Sequence, residues 1–252
     1  MQRRKERLDL SKLYVVGIGP GAHEKITIEA DRVLNSCQVI AGYTVYVDLI
    51  REYYPDKEFI TTPMKQEKER CMLALEEASK GSRVAMVCSG DPVIYGMAGL
   101  LFQLGRDYED VDIEVIPGIT AALSGGSVAG APLTHDFCVI SLSDLLTDWQ
   151  LIEQRLRCAA EGDFEICIYN PSSRKRADYL KKACDILLEK KSGDTVCAAV
   201  KNIGRDGESY TLMDLRTLRE YPADMFTTVF IGNSRTENIG GRMVTPRGYR
   251  DV

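Results

Sequence analysis

The sequence predicts an α/β protein built from two α/β domains with a ligand cleft between them. Apolar runs typical of buried strands alternate with helical patterns along the chain, and this order favours largely parallel sheets covered by helices. A stretch of small residues, "LSGGSVAGAPLTHD" from Leu123, separates four predicted strands from four more. We therefore place one domain at residues 1–128 and the other at 129–252, each large enough to bury its own core.

The individual elements follow from periodicity. Strands are predicted where short apolar runs end at glycine, proline or polar residues: Leu13–Gly19, Gln38–Gly42, Arg83–Cys88, Ile113–Ile116, Phe137–Leu142, Phe164–Tyr169, Thr195–Val200 and Thr228–Gly232. Helices are predicted where apolar residues recur three or four positions apart: Thr27–Ser36, Lys65–Lys80, Gly96–Gly105, Thr120–Ala129, Trp149–Ala160, Arg174–Lys190 and Leu212–Glu220.

Composition and charge exclude several classes of protein. Of 252 residues, 44% are hydrophobic and 27% are charged, which is the balance of a soluble globular protein. The net charge of −5 gives no reason to expect nucleic acid or an anionic membrane as a partner. No apolar run approaches the roughly 20 residues of a membrane span, and the charged "MQRRKERLDL" at the N-terminus lacks the apolar core of a signal peptide. We expect a frayed tail there and a cytoplasmic protein.

The sequence contains eight cysteines and two histidines, His23 and His135. Their spacing indicates whether disulfides or a metal site are expected. No two cysteines have C-x-x-C spacing and most lie in apolar patterns, so buried reduced thiols are expected rather than disulfides or a metal cluster. The histidines show no H-x-x-x-H pairing. The sequence therefore predicts no metal held by the protein itself.

The stretch "LYVVGIGPGAHEKITIEA", from Leu13, joins a strand to a helix through a glycine-rich turn that fits G-x-G-x-x-A spacing. A nicotinamide-binding domain would also need an acidic residue at the end of the second strand, where this chain has Gly42 and Tyr43. Pro20 removes a backbone donor from the same turn. We therefore reject nicotinamide binding, and a tight turn is enough to explain the glycines.

Two further glycine motifs follow predicted strands. "SGDPVIYG" begins at Ser89 and "PGITAA" begins at Pro117. Small residues at the carboxyl end of a strand let a ligand approach the backbone closely, and these ends are where parallel sheets bind ligands. Each motif taken alone could equally be an ordinary turn.

Taken together, "GIGPG", "SGDPVIYG" and "PGITA" resemble the tetrapyrrole methyltransferases. These S-adenosylmethionine enzymes of the sirohaem and cobalamin pathways do not have the usual Rossmann methyltransferase fold. The resemblance continues through "VKNIGRDGE" and "VTPRGY" and covers Leu13 to the C-terminus. The stretches "HDFCVISLSDLLTDW" and "YNPSSR" resemble one branch, the precorrin-3B C(17)-methyltransferases of corrin ring contraction. Asp148 departs from that branch, where proline is expected.

The resemblance implies a tetrapyrrole methylase fold with S-adenosylmethionine bound between the two domains. Positions that match the family's cofactor contacts are Pro20, Ser89, Gly90, Asp91, Ile94, Thr120 and Ala121 in the first domain and Tyr169, Asn170 and Ile203 in the second. Asn170-Pro171 stands where many members have Met-Gly. Asp91 could orient the cofactor or complement its positive charge, or it could simply cap the turn before Pro92.

The implied substrate is a small-molecule tetrapyrrole with acetate and propionate carboxylates, which arginine can bind bidentately. Candidate cations are Arg174, Lys175, Arg176, Arg205, Arg242, Arg247 and Arg250, although any of them could be solvated surface. Ring contraction requires proton transfer, for which His135 and Asp144 are the catalytic candidates, with a structural role for either left open.

Two alternatives to the C(17) assignment remain. One is a sibling enzyme of the same fold, which would methylate another carbon of the macrocycle or, as in diphthine synthase, a protein side chain. The other is a non-catalytic tetrapyrrole-binding protein. The family resemblance also implies a homodimer.

Overall fold

The computed structural model describes residues 11–173 and 176–249. The predicted N-terminal tail and three of the candidate cations, Arg174, Lys175 and Arg250, lie outside the described residues. The chain forms two compact units, Met1–Thr120 and Ala121–Val252. Each unit contains a five-stranded sheet, in agreement with the predicted α/β class.

The first unit is organised by a fully parallel sheet with strand order β3-β2-β4-β1-β5. Its strands are β1 (Ser11–Gly17), β2 (Val39–Tyr43), β3 (Glu58–Thr62), β4 (Val84–Cys88) and β5 (Val111–Ile116). β3 was not predicted, because "EFITT" is half exposed at the edge of the sheet and lacks an apolar run. The parallel arrangement brings all five carboxyl ends to one edge.

Helices cover both faces of this sheet. They are α1 (Ile28–Ser36), α2 (Thr44–Asp48), α3 (Glu67–Ser79) and α4 (Ala98–Leu104). Thr27 begins α1 by accepting the backbone N–H of Ala30 on its hydroxyl oxygen at 3.1 Å. One apolar cluster packs α3 and α4 on the sheet, and a second packs α1 and α2 on it. Strand-end loops are thereby held on a well-packed core.

The second unit has a five-stranded sheet of order β10-β9-β11-β8-β7 and a three-stranded sheet of order β12-β13-β6. Its strands are β6 (Gly130–Ala131), β7 (Phe137–Ser141), β8 (Glu165–Tyr169), β9 (Val196–Lys201), β10 (Ser209–Asp214), β11 (Thr227–Ile231), β12 (Glu237–Ile239) and β13 (Arg242–Val244). Its helices are α5 (Ala121–Ala129), α6 (Trp149–Glu161), α7 (Tyr179–Leu187) and α8 (Leu215–Leu218).

The prediction of largely parallel sheets was wrong for this second sheet. β7 and β8 pair in parallel, but β11 runs antiparallel to β8 and β9, and β10 runs antiparallel to β9. β9 and β10 are joined by the short loop of residues 202–208, which leaves no room for a crossover helix. Positive φ angles at Asn202, Gly204 and Gly207 turn the chain back on itself. The predicted helix Leu212–Glu220 is therefore the end of β10 followed by α8.

The helix α5 packs within the second unit. Its Ala122 and Ala129 are buried in one apolar cluster with Val200 and Phe230 of the second sheet. The two units consequently divide before this helix, between Thr120 and Ala121, whereas the sequence placed its boundary after residue 128. None of the helices in the described part of the chain is long and apolar enough to cross a membrane.

Candidate functional site

Three loops meet at the carboxyl edge of the first sheet. They follow β1, β4 and β5, which are neighbours in the sheet, and they carry the three glycine motifs at residues 17–21, 89–96 and 117–120. Carboxyl edges of parallel sheets are where α/β proteins bind ligands. The structure therefore brings together the first-unit positions that are predicted to contact the cofactor.

Backbone hydrogen bonds join the first two loops. The N–H of Gly19 donates to the carbonyl oxygen of Gly90 at 3.1 Å, and the N–H of Gly90 donates to the carbonyl oxygen of Gly19 at 2.7 Å. Both residues have φ near +69°, a left-handed conformation that glycine adopts without steric cost. This small antiparallel bridge fixes the two loops against each other.

The third loop packs on the first two without side chains between them. A Cβ atom at Gly118 would lie 2.2 Å from the carbonyl oxygen of Gly90, and one at Gly17 would lie 2.6 Å from the backbone nitrogen of Gly118. Real Cβ atoms essentially never come this close to backbone atoms. Glycine at positions 17 and 118 is therefore required by the approach of the loops to each other.

Asp91 links the second and third loops through its carboxylate. Oδ1 accepts the backbone N–H groups of Val93 at 2.8 Å and Ile94 at 3.2 Å. Oδ2 accepts the N–H of Gly118 at 3.1 Å. The turn-capping alternative considered for Asp91 is thus observed, and the same side chain also holds the third loop in place.

Apolar side chains border the loop cluster. Ile94 and Ile119 are 38% and 37% exposed, and Val93 and Tyr95 beside Ile94 are more exposed still. Pro20 is buried, whereas Ser89 and Thr120 are half-buried. The surroundings combine backbone groups with exposed apolar surface, which suits a ligand that has an aromatic ring and a small polar part.

Three residues of the second unit, Tyr169, Asn170 and Ile203, are predicted to contact the cofactor. The Tyr169 hydroxyl oxygen accepts the backbone N–H of Ala122 at 2.6 Å, at the start of α5. Asn170 has φ of +52° and donates its side-chain N–H to the Ser141 hydroxyl oxygen at 2.9 Å. Ile203 is buried in the cluster that holds α5 on its sheet. Their assignment as cofactor contacts stays a prediction.

Asp144 is held as an anion by two neighbours. Its carboxylate accepts the Tyr179 hydroxyl at 2.7 Å and forms an ion pair with Arg176. The Tyr179 hydrogen bond and the Arg176 charge lower the pKa of Asp144 below its ordinary value. A carboxylate stabilised in this way is a weak proton acceptor near neutral pH.

The structure does not bring the two proton-transfer candidates together. His135 precedes β7 and Asp144 follows it, so they lie at opposite ends of the strand. His135 is exposed, with its Nδ1 atom 3.7 Å from the Asp136 carboxylate. Only Asp144 shares the carboxyl end of the strand with Tyr169 and Asn170, because β7 and β8 are parallel.

The remaining candidate cations already have local contacts or lie exposed. Arg205 lies over the ring of Phe226. Arg242 lies over Tyr210 and donates to the carbonyl oxygen of Val128 at 2.8 Å, while Arg247 is exposed.

Sequence reasoning missed a buried cation, Arg70 of α3, which is 4% exposed. A sequence signal existed. Arg70 belongs to the stripe of α3 that is otherwise made of buried Cys71, Ala74, Leu75 and Ala78.

All eight cysteines are free thiols in the structure, and six of them are buried. Burial raises the pKa of Cys138 to about 11, and the pKa of the buried Cys184 to about 12. Within residues 11–173 and 176–249, no group of three or more His, Cys, Asp or Glu side chains is arranged to hold a metal ion.

Comparison with known proteins defines the class. Residues 12–219 match the family of tetrapyrrole (corrin/porphyrin) methylases. Because this match covers most of the chain, the protein belongs to that family.

The chain is also similar to individual proteins of this family. It is 46% identical to the probable cobalt-factor III C(17)-methyltransferase of Salmonella typhimurium, over 94% of this chain and 99% of the relative. It is 36% identical to the precorrin-3B C(17)-methyltransferase of a Sinorhizobium species, over 95% of this chain and 94% of the relative. The crystal structure of the methyltransferase CobJ is similar with a TM-score of 0.87 and 36% identity, over 94% of this chain and 100% of that one.

Proposed function

We propose that this protein methylates a corrin precursor at carbon 17, with S-adenosylmethionine as the methyl donor, and couples the transfer to contraction of the macrocycle in cobalamin biosynthesis. The substrate would be precorrin-3B, giving precorrin-4, or its cobalt-containing counterpart. The observation that best supports this proposal is the similarity of the chain to two C(17)-methyltransferases. In each comparison, the similarity covers nearly the whole length of this chain and of the relative. The three-loop cluster supports the proposal, because positions predicted to contact the donor lie together there.

The residues present fit S-adenosylmethionine. Mutual packing of Gly17, Gly90 and Gly118 leaves the loop cluster with backbone rather than bulky side chains at its centre. Ile94 and Ile119 provide exposed apolar surface beside it, against which an adenine ring can pack. We infer that Pro20, Ser89, Gly90, Asp91, Ile94 and Thr120 of the first unit hold the cofactor. The contributions of Ala121, Tyr169, Asn170 and Ile203 follow from the family resemblance.

Bound S-adenosylmethionine supplies a methyl group that is already activated for in-line displacement. The contribution of the protein is therefore mainly to hold donor and acceptor carbon in near-attack geometry. The Gly19–Gly90 bridge and the Asp91 carboxylate serve this purpose, because they fix three loops in one arrangement. Asp91 then acts on the cofactor chiefly through the loops that it positions.

Ring contraction adds a proton transfer to the methyl transfer. Asp144 is poorly suited to accept that proton, since Tyr179 and Arg176 stabilise its ionised form and lower its pKa. His135 remains the candidate among the predicted residues, as histidine exchanges protons readily near neutral pH. A water molecule or a substrate carboxylate is the alternative acceptor.

The proposal is tested by incubating the protein with methyl-labelled S-adenosylmethionine and with precorrin-3B or cobalt-factor III. We expect S-adenosylhomocysteine together with a ring-contracted product whose label is located at carbon 17 by NMR. Label at another carbon would identify a sibling methyltransferase. Binding of both macrocycles without turnover would identify a non-catalytic tetrapyrrole-binding protein. The ratio of turnover with the two substrates decides whether cobalt arrives inside the substrate.

A further inference from the structure

Arg70 is a buried cation that has no counter-ion among the described residues. It lies in the first turn of α3 and is 4% exposed. Its Nε atom donates to the Thr62 hydroxyl oxygen at 3.2 Å, and its guanidinium carbon lies 5.8 Å from the centre of the Tyr43 ring. Among the residues that the structure describes, no carboxylate lies within ion-pair distance of this guanidinium.

Such a burial is unfavourable unless something compensates for it. Arginine stays charged in proteins and has five N–H donors, of which the Thr62 hydroxyl uses one. Buried charges in proteins are paired or bind a ligand, because an isolated charge loses the solvation of water. The Tyr43 ring and one neutral hydroxyl replace only part of that solvation. The guanidinium therefore has capacity for an anion.

The electrostatic effect of this charge reaches the neighbouring strand. Burial raises the pKa of the Cys88 thiol to about 11, and Arg70 partly offsets that rise. Cys88 ends β4, directly before the loop that contains Asp91. The charge of Arg70 thus acts at the end of β4, beside the predicted cofactor loops, where the Asp91 carboxylate opposes it.

The position of Arg70 relates it to that same edge of the sheet. Thr62 is the last residue of β3 and Tyr43 is the last residue of β2. β2 pairs with both β3 and β4, so the guanidinium lies at the carboxyl edge, one to two strands to the side of the loop after β4. The cofactor loops occupy the ends of β4, β1 and β5, which leaves the ends of β2 and β3 for a second ligand.

We propose that Arg70 binds a carboxylate of the macrocycle and so orients the substrate beside the methyl donor. This inference rests on the proposed function, which supplies a substrate rich in acetate and propionate groups. Thr62 fixes Nε and the Tyr43 ring supports the guanidinium, so the terminal nitrogens are the ones left to bind a carboxylate bidentately. Arg70 would be a substrate-binding residue. It is not among the candidate cations that were predicted from the sequence.

The methionine carboxylate of the cofactor is the other source of the same chemical group. The two sources are distinguished by titrating wild-type protein and the variants Arg70→Gln and Arg70→Lys with two probes. S-adenosylhomocysteine is titrated by calorimetry, and cobalt-factor III is titrated by its absorption spectrum without any methyl donor. Arg106→Gln is the matched control, because Arg106 is exposed in the segment before β5, at the opposite edge of the same sheet.

We expect Arg70→Gln to weaken macrocycle binding about tenfold to a hundredfold, as for loss of a charge-assisted hydrogen bond, with cofactor affinity changed less than about twofold. Arg70→Lys should fall in between, since lysine keeps the charge but not the bidentate geometry. Arg106→Gln should match wild type with both probes. Unchanged macrocycle affinity in folded Arg70→Gln, or a loss confined to S-adenosylhomocysteine, overturns the proposal.

A measurement on the wild-type protein tests the proposal even if the Arg70 variants do not fold. The guanidinium nitrogen resonances of Arg70 should shift when cobalt-factor III is added and should not shift with S-adenosylhomocysteine alone. No shift with bound macrocycle overturns the assignment of Arg70 while leaving the proposed function intact. If wild-type protein does not bind the macrocycle at all, both proposals fail.

Discussion

The Oδ2 atom of Asp91 accepts the backbone N–H of Gly118 at 3.1 Å, which ties the loop after β4 to the loop after β5. The other carboxylate oxygen of Asp91 caps its own turn. One side chain therefore determines the relative position of two loops that are 27 residues apart in sequence. In this family member, the acidic residue of the second glycine motif has a structural role.

Asp91→Asn should lower both the stability and the cofactor affinity. The amide oxygen can still accept from Val93 and Ile94, but the amide NH2 would then face the N–H of Gly118, donor against donor. We expect a loss of about 1–3 kcal/mol in the free energy of unfolding, measured with urea. Asp107→Asn, at an exposed position, is the control and should change neither quantity. Wild-type stability in Asp91→Asn would show that the carboxylate does not hold the loops together.

Gly118→Ala should disrupt the loop cluster by overpacking. The added methyl group would lie 2.2 Å from the carbonyl oxygen of Gly90, so the loops must separate, at a cost of about 1–3 kcal/mol. Calorimetry should show weaker binding of S-adenosylhomocysteine. Gly99→Ala in α4 is the matched control, because a Cβ atom there meets nothing within 4 Å. The cofactor placement would be wrong if a folded Gly118→Ala, and likewise a folded Gly90→Val, bound S-adenosylhomocysteine as tightly as wild type.

Glu165 should make stability fall as the pH rises. It is 1% exposed and its carboxylate makes no hydrogen bond of normal geometry, although the Thr245 hydroxyl and the His135 backbone N–H lie close to it. Burial raises its pKa from 4.5 to about 7 in the folded protein. Between these two pH values the unfolded chain releases the proton while the folded chain keeps it. The free energy of unfolding therefore decreases through that window, by on the order of 3 kcal/mol, and is constant with respect to this group above it.

The measurement is urea unfolding of wild type and Glu165→Gln at pH 4.5, 6 and 7.5, since glutamine does not titrate. The wild-type value should fall relative to the variant as the pH rises. Glu161→Gln, at an exposed position, should run parallel to wild type. A constant difference between wild type and Glu165→Gln across the three pH values would show that Glu165 has an ordinary pKa in the folded protein.

His135→Asn tests the remaining proton-transfer candidate. If His135 accepts the proton of ring contraction, the variant should bind S-adenosylhomocysteine normally but contract the ring roughly a hundredfold to ten-thousandfold more slowly. A methylated, uncontracted macrocycle should then accumulate in single-turnover experiments, with its own mass and absorption spectrum. Asp144→Asn is the comparison, at the other end of β7. Contraction at the normal rate in His135→Asn would leave this residue with a structural role only.

The family resemblance predicts a homodimer. Light scattering at micromolar concentration should then give about twice the chain mass of 28.1 kDa, because an interface of obligate size persists at that dilution. Dilution into the nanomolar range tests how tight the interface is. A mass of one chain at micromolar concentration would contradict the prediction.

Local patterns in the sequence determined many of the strands in both units. All eight predicted strands are present with ends within two residues, because short apolar runs bounded by glycine or proline have few other ways to bury themselves. The three glycine motifs were correctly placed at strand ends, where their residues leave room for backbone contacts. Edge strand β3 was missed because half of its side chains face solvent.

Only the tertiary structure decided the features that depend on which segments pair. The antiparallel pairs of the second sheet follow from the 202–208 turn together with the insertion of β11 between β8 and β9, and no local pattern specifies that order. Likewise, the same residue types have different roles according to what packs on them. Asp91 holds two loops together, Asp144 forms an ion pair with Arg176, and Arg70 is buried beside Thr62 with no acid paired to it in the described part of the chain. Hydrophobic periodicity acts over a few residues, whereas the free energy of a charge depends on neighbours that the fold brings from distant parts of the chain.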